Sequence, residues 1–595
     1  MSGIEIGNLE SLHTLVFSSL EFLFRYLPLF LILFYAVPKR FRMFVLFAFS
    51  LILYALGDPA HVLILLGMSV VNWLFGYGLA TEPDADGKRM SGLHRKKEHP
   101  GVRGLRRKTI NWSELQIFEE TVDQRKEEPY RNTASPQTVK KRKFWLAVSV
   151  LCNASLLIFF KLSNVFEENM LLPVGISFYT FKSISYLIDV YRSGHAERSF
   201  LRFGAYLCCF PQIVSGPIMR YGEMEQAQQF GVWKAARAED GLKYIIAGLG
   251  MKVLLADRLG FLWNDIQTIG FESISTPLAW LGAAAYSMEL YFDFAGYSLI
   301  AVGIGRMIGL PAIKNFDQPY SSRSVSEFYR RWHMTLGSWF RDYLYIPLGG
   351  NRKGTLRTVF NLLLVWAVTG FWHGGGLHFI LWGMILGLLV VIEKLWIGKW
   401  LKKSKILSHV YVLFVIPLTW MVFAIPTLPE IGVYFARLFP FFGVGSAVNP
   451  GDFAKELTLF IPELVGGILL CIPQVYRWCE KHRKNVIVVA ALFAVFWYSV
   501  YRMANAANND FLMEFQADRI VCGFIGAAAP AEWRKYELLE KMSTVGRSDR
   551  QRTGDRGSRG CQWGKIRRNR KSGELEAACV GDCFYRFKTR RLSVE

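Results

Sequence analysis

Apolar residues fall in runs near the length of a bilayer crossing along most of the chain. The clearest cover 15–37, 60–80, 278–300, 379–391, 410–423 and 486–500. A crossing helix needs roughly 20 predominantly apolar residues, with about 17–25 tolerated. Shorter runs at 43–56 and 360–372 read as broken, tilted or buried helices. Counted this way, the pattern predicts about ten to thirteen membrane segments. The expected fold class is therefore all-α, a polytopic integral membrane protein. The first run is too long for a secretion signal and lacks a basic n-region and a small-residue cleavage site, so it reads as a retained span.

Two polar stretches interrupt the pattern and divide the chain into 1–80, 81–143, 144–510 and 511–595. The first holds N-terminal spans and the second is a polar insertion, read as a cytoplasmic loop with a candidate short helix at 111–120. The third holds the main body of spans. The fourth is Arg- and Gly-rich without helical period, the composition of a chain that buries no core, and is expected to be mostly disordered.

Composition adds little to this picture until the charge is located. Apolar residues make up 52% of 595 positions, only slightly above the soluble average. The net charge of +22 would suit a nucleic-acid binder. However, residues 81–143 carry 16 Lys/Arg against 10 Asp/Glu, and 511–595 carry 18 against 11, so much of the excess lies in two polar segments. The rest sits in short loops, as the positive-inside rule expects of cytoplasmic ones. Parity is consistent. Lys39, Arg40 and Arg42 are basic, the turn Gly57-Asp58-Pro59 is not, and 81–143 is basic again. The segment 314–357 holds 8 Lys/Arg against 3 acids. This places the N-terminus outside and the basic loops inside, with anionic lipid rather than nucleic acid as their partner. The nine cysteines are scattered and show no zinc-like spacing.

Ionisable groups within apolar segments are costly and are candidates for function by default. Four places stand out. Glu289 and Asp293 are four apart and share a helix face; they read as buried structural charges, with Arg306 or Arg330 and Arg331 as candidate partners. The stretch from Glu327 to Arg352, which contains Trp332 and His333, is too polar to span yet rich in aromatics, as an interfacial amphipathic helix would be. At Trp372-His373-Gly374-Gly375-Gly376, a His ends an apolar run beside glycines that let backbone or substrate approach. His378 follows, but the glycines break the helical spacing that a paired-His metal site uses, and no metal is expected. Finally, Pro173 and Gly175 open a segment that either walls a cavity or forms a kinked, packed helix.

Four stretches, LPVGISFYTFKSISYLIDVYR, ELYFDFAGYSLIAVGIGRMIG, FYRRWHMTLGSWFRDYLYIPLGGNR and TGFWHGGGLHFILWG, occur in this order. Together they resemble the membrane-bound O-acyltransferase family, and within it the bacterial branch of alginate O-acetyltransferases. The resemblance covers roughly 14–510 apart from 81–143. The long insertion and the residues beyond Gln516 depart from the family pattern. The resemblance implies helices around a central tunnel in the bacterial cytoplasmic membrane, with His373 catalytic and His333 assisting in the same tunnel. It also implies acyl transfer, of acetyl by analogy, from a cytoplasmic thioester such as acetyl-CoA or an acyl carrier, with no tightly bound cofactor. The acceptor would be an extracytoplasmic polysaccharide, or a separate extracytoplasmic acyltransferase that finishes the transfer.

The chemistry fits the residue types. A sugar hydroxyl is a poor nucleophile at neutral pH, and an imidazole titrating near pH 6.5 can accept its proton. The oxyanion then needs donors, for which Gly374 and Gly375 main-chain N–H groups, the Trp372 indole, Trp332 or the second His are candidates. Three alternatives remain at this point: D-alanyl transfer to teichoic acid, a polysaccharide export subunit, and a non-catalytic scaffold. The last would make no special use of His373.

Overall fold

A computed structural model describes residues 17–80, 136–166, 172–227, 229–442 and 447–507, together with 567–568, 575–578 and 584–586. The chain divides into two units, Met1–Ala527 and Ala528–Glu595. In the first, every regular element among the described residues is a helix. The principal ones are α1 (Leu27–Ala36), α2 (Arg42–Gly57), α3 (Val62–Leu79), α4 (Pro136–Phe166), α5 (Ile176–Ser193), α6 (Ala235–Leu249), α7 (Asp257–Ile269) and α8 (Thr276–Ile308). They continue with α9 (Val325–Arg331), α10 (Met334–Phe340), α11 (Thr355–His373), α12 (Leu377–Ile392), α13 (Lys405–Ala424), α14 (Asp452–Cys471), α15 (Pro473–Lys481) and α16 (Val486–Ala507).

Among the described residues, seven helices are long and apolar enough to cross a membrane, or eight if the pair α14–α15, bent by 77°, is one span. The first unit is thus all-α among its described residues, and the protein is a multi-pass membrane protein. The short runs at 43–56 and 360–372 belong to full-length candidates, Lys39–Gly57 and Thr355–His373, because polar residues extend each helix beyond its apolar stretch. The run at 15–37 yields only the shorter apolar helix Phe22–Ala36. The larger number of segments expected from apolar runs includes α8, which is long enough to cross but carries Glu289, Asp293 and Arg306. It is enclosed by other helices, with 20 of its 33 residues buried. A helix facing protein rather than lipid need not be apolar all round.

Close helix packing fixes this interior. A Cβ on Gly241 would lie 2.6 Å from the Gly303 carbonyl oxygen, and one on Gly303 would lie 2.6 Å from that of Gly241. Gly248 and Gly296 repeat the arrangement one heptad along. Small residues let α6 and α8 touch backbone to backbone, the usual means of close helix association in lipid. α11 and α12 interlock similarly: a Cβ on Gly370 would strike the Phe379 carbonyl, and one on Gly383 the Trp366 carbonyl.

Caps set several ends. Ser275 accepts from Leu278 N at 3.3 Å to start α8, and Gly309 ends it at φ +89°. The Glu393 carboxylate, 5% exposed, accepts from the main-chain N–H groups of Val325 and Ser326 at 2.5 and 2.9 Å. A buried carboxylate at a helix N-terminus satisfies orphan donors and complements the helix dipole. The chain after α12 thereby anchors α9, which leads directly to His333.

In the second unit, the described residues form a three-stranded antiparallel sheet, Arg567–Arg568 (β1), Leu575–Ala578 (β2) and Phe584–Arg586 (β3), in the order β1-β2-β3. The expectation of disordered chain over 511–595 otherwise lies outside the described residues, as do the candidate helix at 111–120 and the loop reading of 81–143 up to residue 135; residues 136–143 are not loop but the start of α4.

Candidate functional site

His373 is the last residue of α11. Its ring meets Trp372 at 4.5 Å between centroids, Trp382 at 5.1 Å, Phe423 at 5.1 Å and Phe379 at 6.3 Å. These rings come from α11, α12 and α13, so the imidazole sits in an aromatic enclosure built by three helices. Behind it, Lys161 of α4 donates from Nζ to the His373 carbonyl at 3.2 Å. Lys161 is 4% exposed. The C-terminus of a helix carries partial negative charge, which an ammonium group complements.

The glycines act differently from the opening that the sequence suggests. Gly374 is buried, and a Cβ there would collide with the Phe379 ring; one on Gly376 would lie 2.6 Å from the His378 ring. The room they leave is filled by aromatic side chains, which close the site. Gly375 is half-buried between them. His378 is buried and lies 4.0 Å from Phe379, centroid to centroid.

The stretch from Glu327 to Arg352 is no single amphipathic helix. It breaks between α9 and α10 at Trp332–His333, where His333 has φ +44°. That conformation is strained for a residue with a side chain and turns the His inward. His333 is 5% exposed, packs edge-to-face on Phe294 at 4.7 Å, and lies 6.5 Å from Trp372. Both imidazoles are thus neighbours of the Trp372 ring. Burial pushes His333 down to about 3, so its ring is neutral at physiological pH.

Trp332 is placed one layer away. It stacks on Phe328 and contacts Trp420 at 5.1 Å, and Trp420 in turn contacts Trp382, which borders His373. It belongs to the buried aromatic core rather than to the first layer around His373.

The buried charges differ from expectation in their partners. Asp293 pairs with Lys252 at 2.5 Å, and Lys252 also pairs with Asp257 at 2.8 Å. Lys252 is 5% exposed and sits in the π-helical turn Gly250–Ala256 between α6 and α7. Arg306 pairs instead with Asp240 at 3.0 Å and Arg331 with Glu327 at 2.7 Å, while Arg330 is exposed rather than buried. Helix packing brings the turn at Gly250–Ala256, rather than the segment at 330–331, against Asp293. Glu289 lies on the same side, against α7: a Cβ on Gly260 would come 2.8 Å from its Oε1.

Lys161, Lys252 and Asn315 are the residues that sequence reasoning passed over. Lys161 and Lys252 carried a signal, since each is basic within an apolar stretch. Asn315, which contacts His333 at 3.1 Å, carried none.

Residues 191–428, which include both histidines, match the family described as MBOAT, membrane-bound O-acyltransferase. The chain is 33% identical over 446 residues to a probable alginate O-acetylase, AlgI, of Azotobacter vinelandii, covering 72% of this chain and 78% of the relative. It is 32% identical over 299 residues to a peptidoglycan O-acetyltransferase of Helicobacter pylori, covering 42% and 56%. It is also 31% identical over 252 residues to a teichoic acid D-alanyltransferase of Bacillus subtilis, covering 40% and 62%. The extent of these matches, on a chain with at least seven candidate crossings, identifies it as a member of the membrane-bound O-acyltransferase family and a multi-pass membrane O-acyltransferase.

Proposed function

We propose that this enzyme moves an acetyl group from a cytoplasmic thioester towards hydroxyls of an extracytoplasmic polysaccharide, across the bacterial cytoplasmic membrane, with His373 as the base and His333 assisting. The thioester, acetyl-CoA or an acyl carrier, is a co-substrate rather than a resident cofactor. The acceptor is the polysaccharide itself or a separate extracytoplasmic acyltransferase that passes the group on.

One observation carries this reading. Two histidines 40 residues apart in sequence both lie beside the Trp372 ring, one at a helix end and one at a strained turn. A hydroxyl oxygen attacks the thioester carbonyl, the C–O bond forms and the C–S bond breaks. The hydroxyl proton passes to the imidazole and then to the departing thiolate. An aromatic enclosure limits water, which favours transfer over hydrolysis. Main-chain N–H groups at Gly374 and Gly375 and the Trp372 indole are the nearby groups suited to the oxyanion. Acetyl is favoured over D-alanyl because the match to the alginate relative covers 72% of the chain and that to the D-alanyl relative 40%.

The test is the acyl content of the extracellular polymer, identified by mass spectrometry and normalised to enzyme in the membrane. His373→Ala is expected to lower it by about 10²–10⁴-fold, the usual cost of losing a general base. Near wild-type acylation at equal abundance would overturn the catalytic assignment, and release of D-alanine from the polymer would replace the acetyl reading.

A further inference from the structure

We infer that Asn315 is a positioning residue that holds His333 in its Nδ1-protonated tautomer, leaving the Nε2 lone pair as a hydrogen-bond acceptor for a substrate hydroxyl. The inference rests on the proposal that His333 works in the acyl-transfer site.

The amide orientation of Asn315 is determined by its neighbours. Its Oδ1 lies 3.3 Å from the main-chain N–H of Thr335, which can only donate, and 2.9 Å from Thr335 Oγ1. On the other side, Nδ2 donates to Ser298 Oγ at 2.9 Å. Reversing the amide would set its N–H groups against the Thr335 N–H. The atom 3.1 Å from His333 Nδ1 is therefore the oxygen. An amide oxygen only accepts, so Nδ1 must carry the proton.

In a neutral ring, Nε2 then bears the lone pair. It is buried and has no hydrogen-bond partner among the described residues. A buried polar atom without a partner costs about 1–3 kcal/mol, a cost that substrate binding would relieve.

Asn315 also holds the main chain beside the ring. Its carbonyl accepts from Met334 N at 2.8 Å, fixing the turn in which His333 adopts φ +44°. Such strain persists only where surrounding contacts over-determine it. One residue thus sets the backbone, the ring orientation and the tautomer. A neutral His333 in this tautomer has no N–H to offer at Nε2, so it cannot be the oxyanion donor. It suits a partner that donates, such as a substrate hydroxyl beside the one whose proton His373 takes.

Solid-state NMR of the full-length protein in lipid bilayers, labelled with ¹³C,¹⁵N-histidine, reads the tautomer directly. The His333 signals are identified by their loss in His333→Ala. At pH 7 they are expected to report a neutral, Nδ1-protonated ring. Asn315→Leu should mix or reverse the tautomer, and Asn315→Asp should populate the imidazolium. An Nε2-protonated or cationic ring in the wild type overturns the inference, as does an unchanged tautomer in Asn315→Leu. If Asn315→Leu does not accumulate, the wild type and Asn315→Asp decide. Acyl transfer supplies a separate readout: Asn315→Leu and His333→Ala should each lose about 10²-fold, with little further loss in the double variant. Should the tautomer hold while His333→Ala acylates normally, the proposed role of His333 fails, and the positioning role of Asn315 falls with it.

Discussion

Lys161 and His373 are 212 residues apart, and Nζ of the first donates to the main-chain carbonyl of the second at 3.2 Å. The contact ties the end of α11 to α4 at the residue that carries the candidate base. A hydrogen bond contributes about 0.5–1.5 kcal/mol, and 1.4 kcal/mol is about tenfold in rate or equilibrium.

Lys161→Met is therefore expected to reduce acyl transfer by up to about tenfold while the protein still inserts, and Lys161→Arg to recover part of the loss. Rates per inserted enzyme, together with thermal unfolding of each variant, check this. A Lys161→Met enzyme with the wild-type rate would show that the contact does not position His373.

The Lys252 triad predicts a ranking of variants. One cation serves two carboxylates, Asp257 at 2.8 Å and Asp293 at 2.5 Å. Removing the cation strands both, and breaking a buried pair from one side costs about 3–5 kcal/mol. Asp293→Asn leaves Lys252 its second partner and should be milder. Lys252→Met should accumulate poorly, and adding Asp257→Asn and Asp293→Asn to it should restore protein to the membrane. Immunoblotting of membranes and thermal scanning measure the order; equal losses for Lys252→Met and Asp293→Asn would contradict the shared-cation account.

Orientation gives another prediction. The basic loops are expected on the cytoplasmic side, and Lys353 is exposed within one of them. Lys353→Cys should resist an impermeant thiol reagent in intact cells and react after permeabilisation, as should Ser91→Cys in the polar insertion. Ser322 in the same basic segment is fully buried, so a cysteine there would be protected on either side. Ready labelling of Lys353→Cys in intact cells would reverse the topology.

The all-helical, membrane-spanning character was legible because a run of some 20 apolar residues has few stable fates other than a bilayer. The family was legible from four motifs in order, and with it the two histidines. Partners were harder to read. Asp293 was assigned a guanidinium and instead meets Lys252, because the face-to-face contact of α6 and α8 through Gly241, Gly248, Gly296 and Gly303 brings the turn at Gly250–Ala256 against Asp293. The glycines after His373 suggested an opening, yet they accommodate the rings of Phe379 and His378.

The sequence by itself therefore determined the hydrophobic segments, the basic loops and the two imidazoles, because burial and charge are properties of individual residues and of their local period. Tertiary structure alone decided that His333 and His373 both lie beside Trp372, that Lys161 meets the end of α11, and that Asn315 meets the His333 ring. Those relationships depend on which helices pack together and at what height, and packing is a property of pairs of surfaces distant in the chain, which no local pattern encodes.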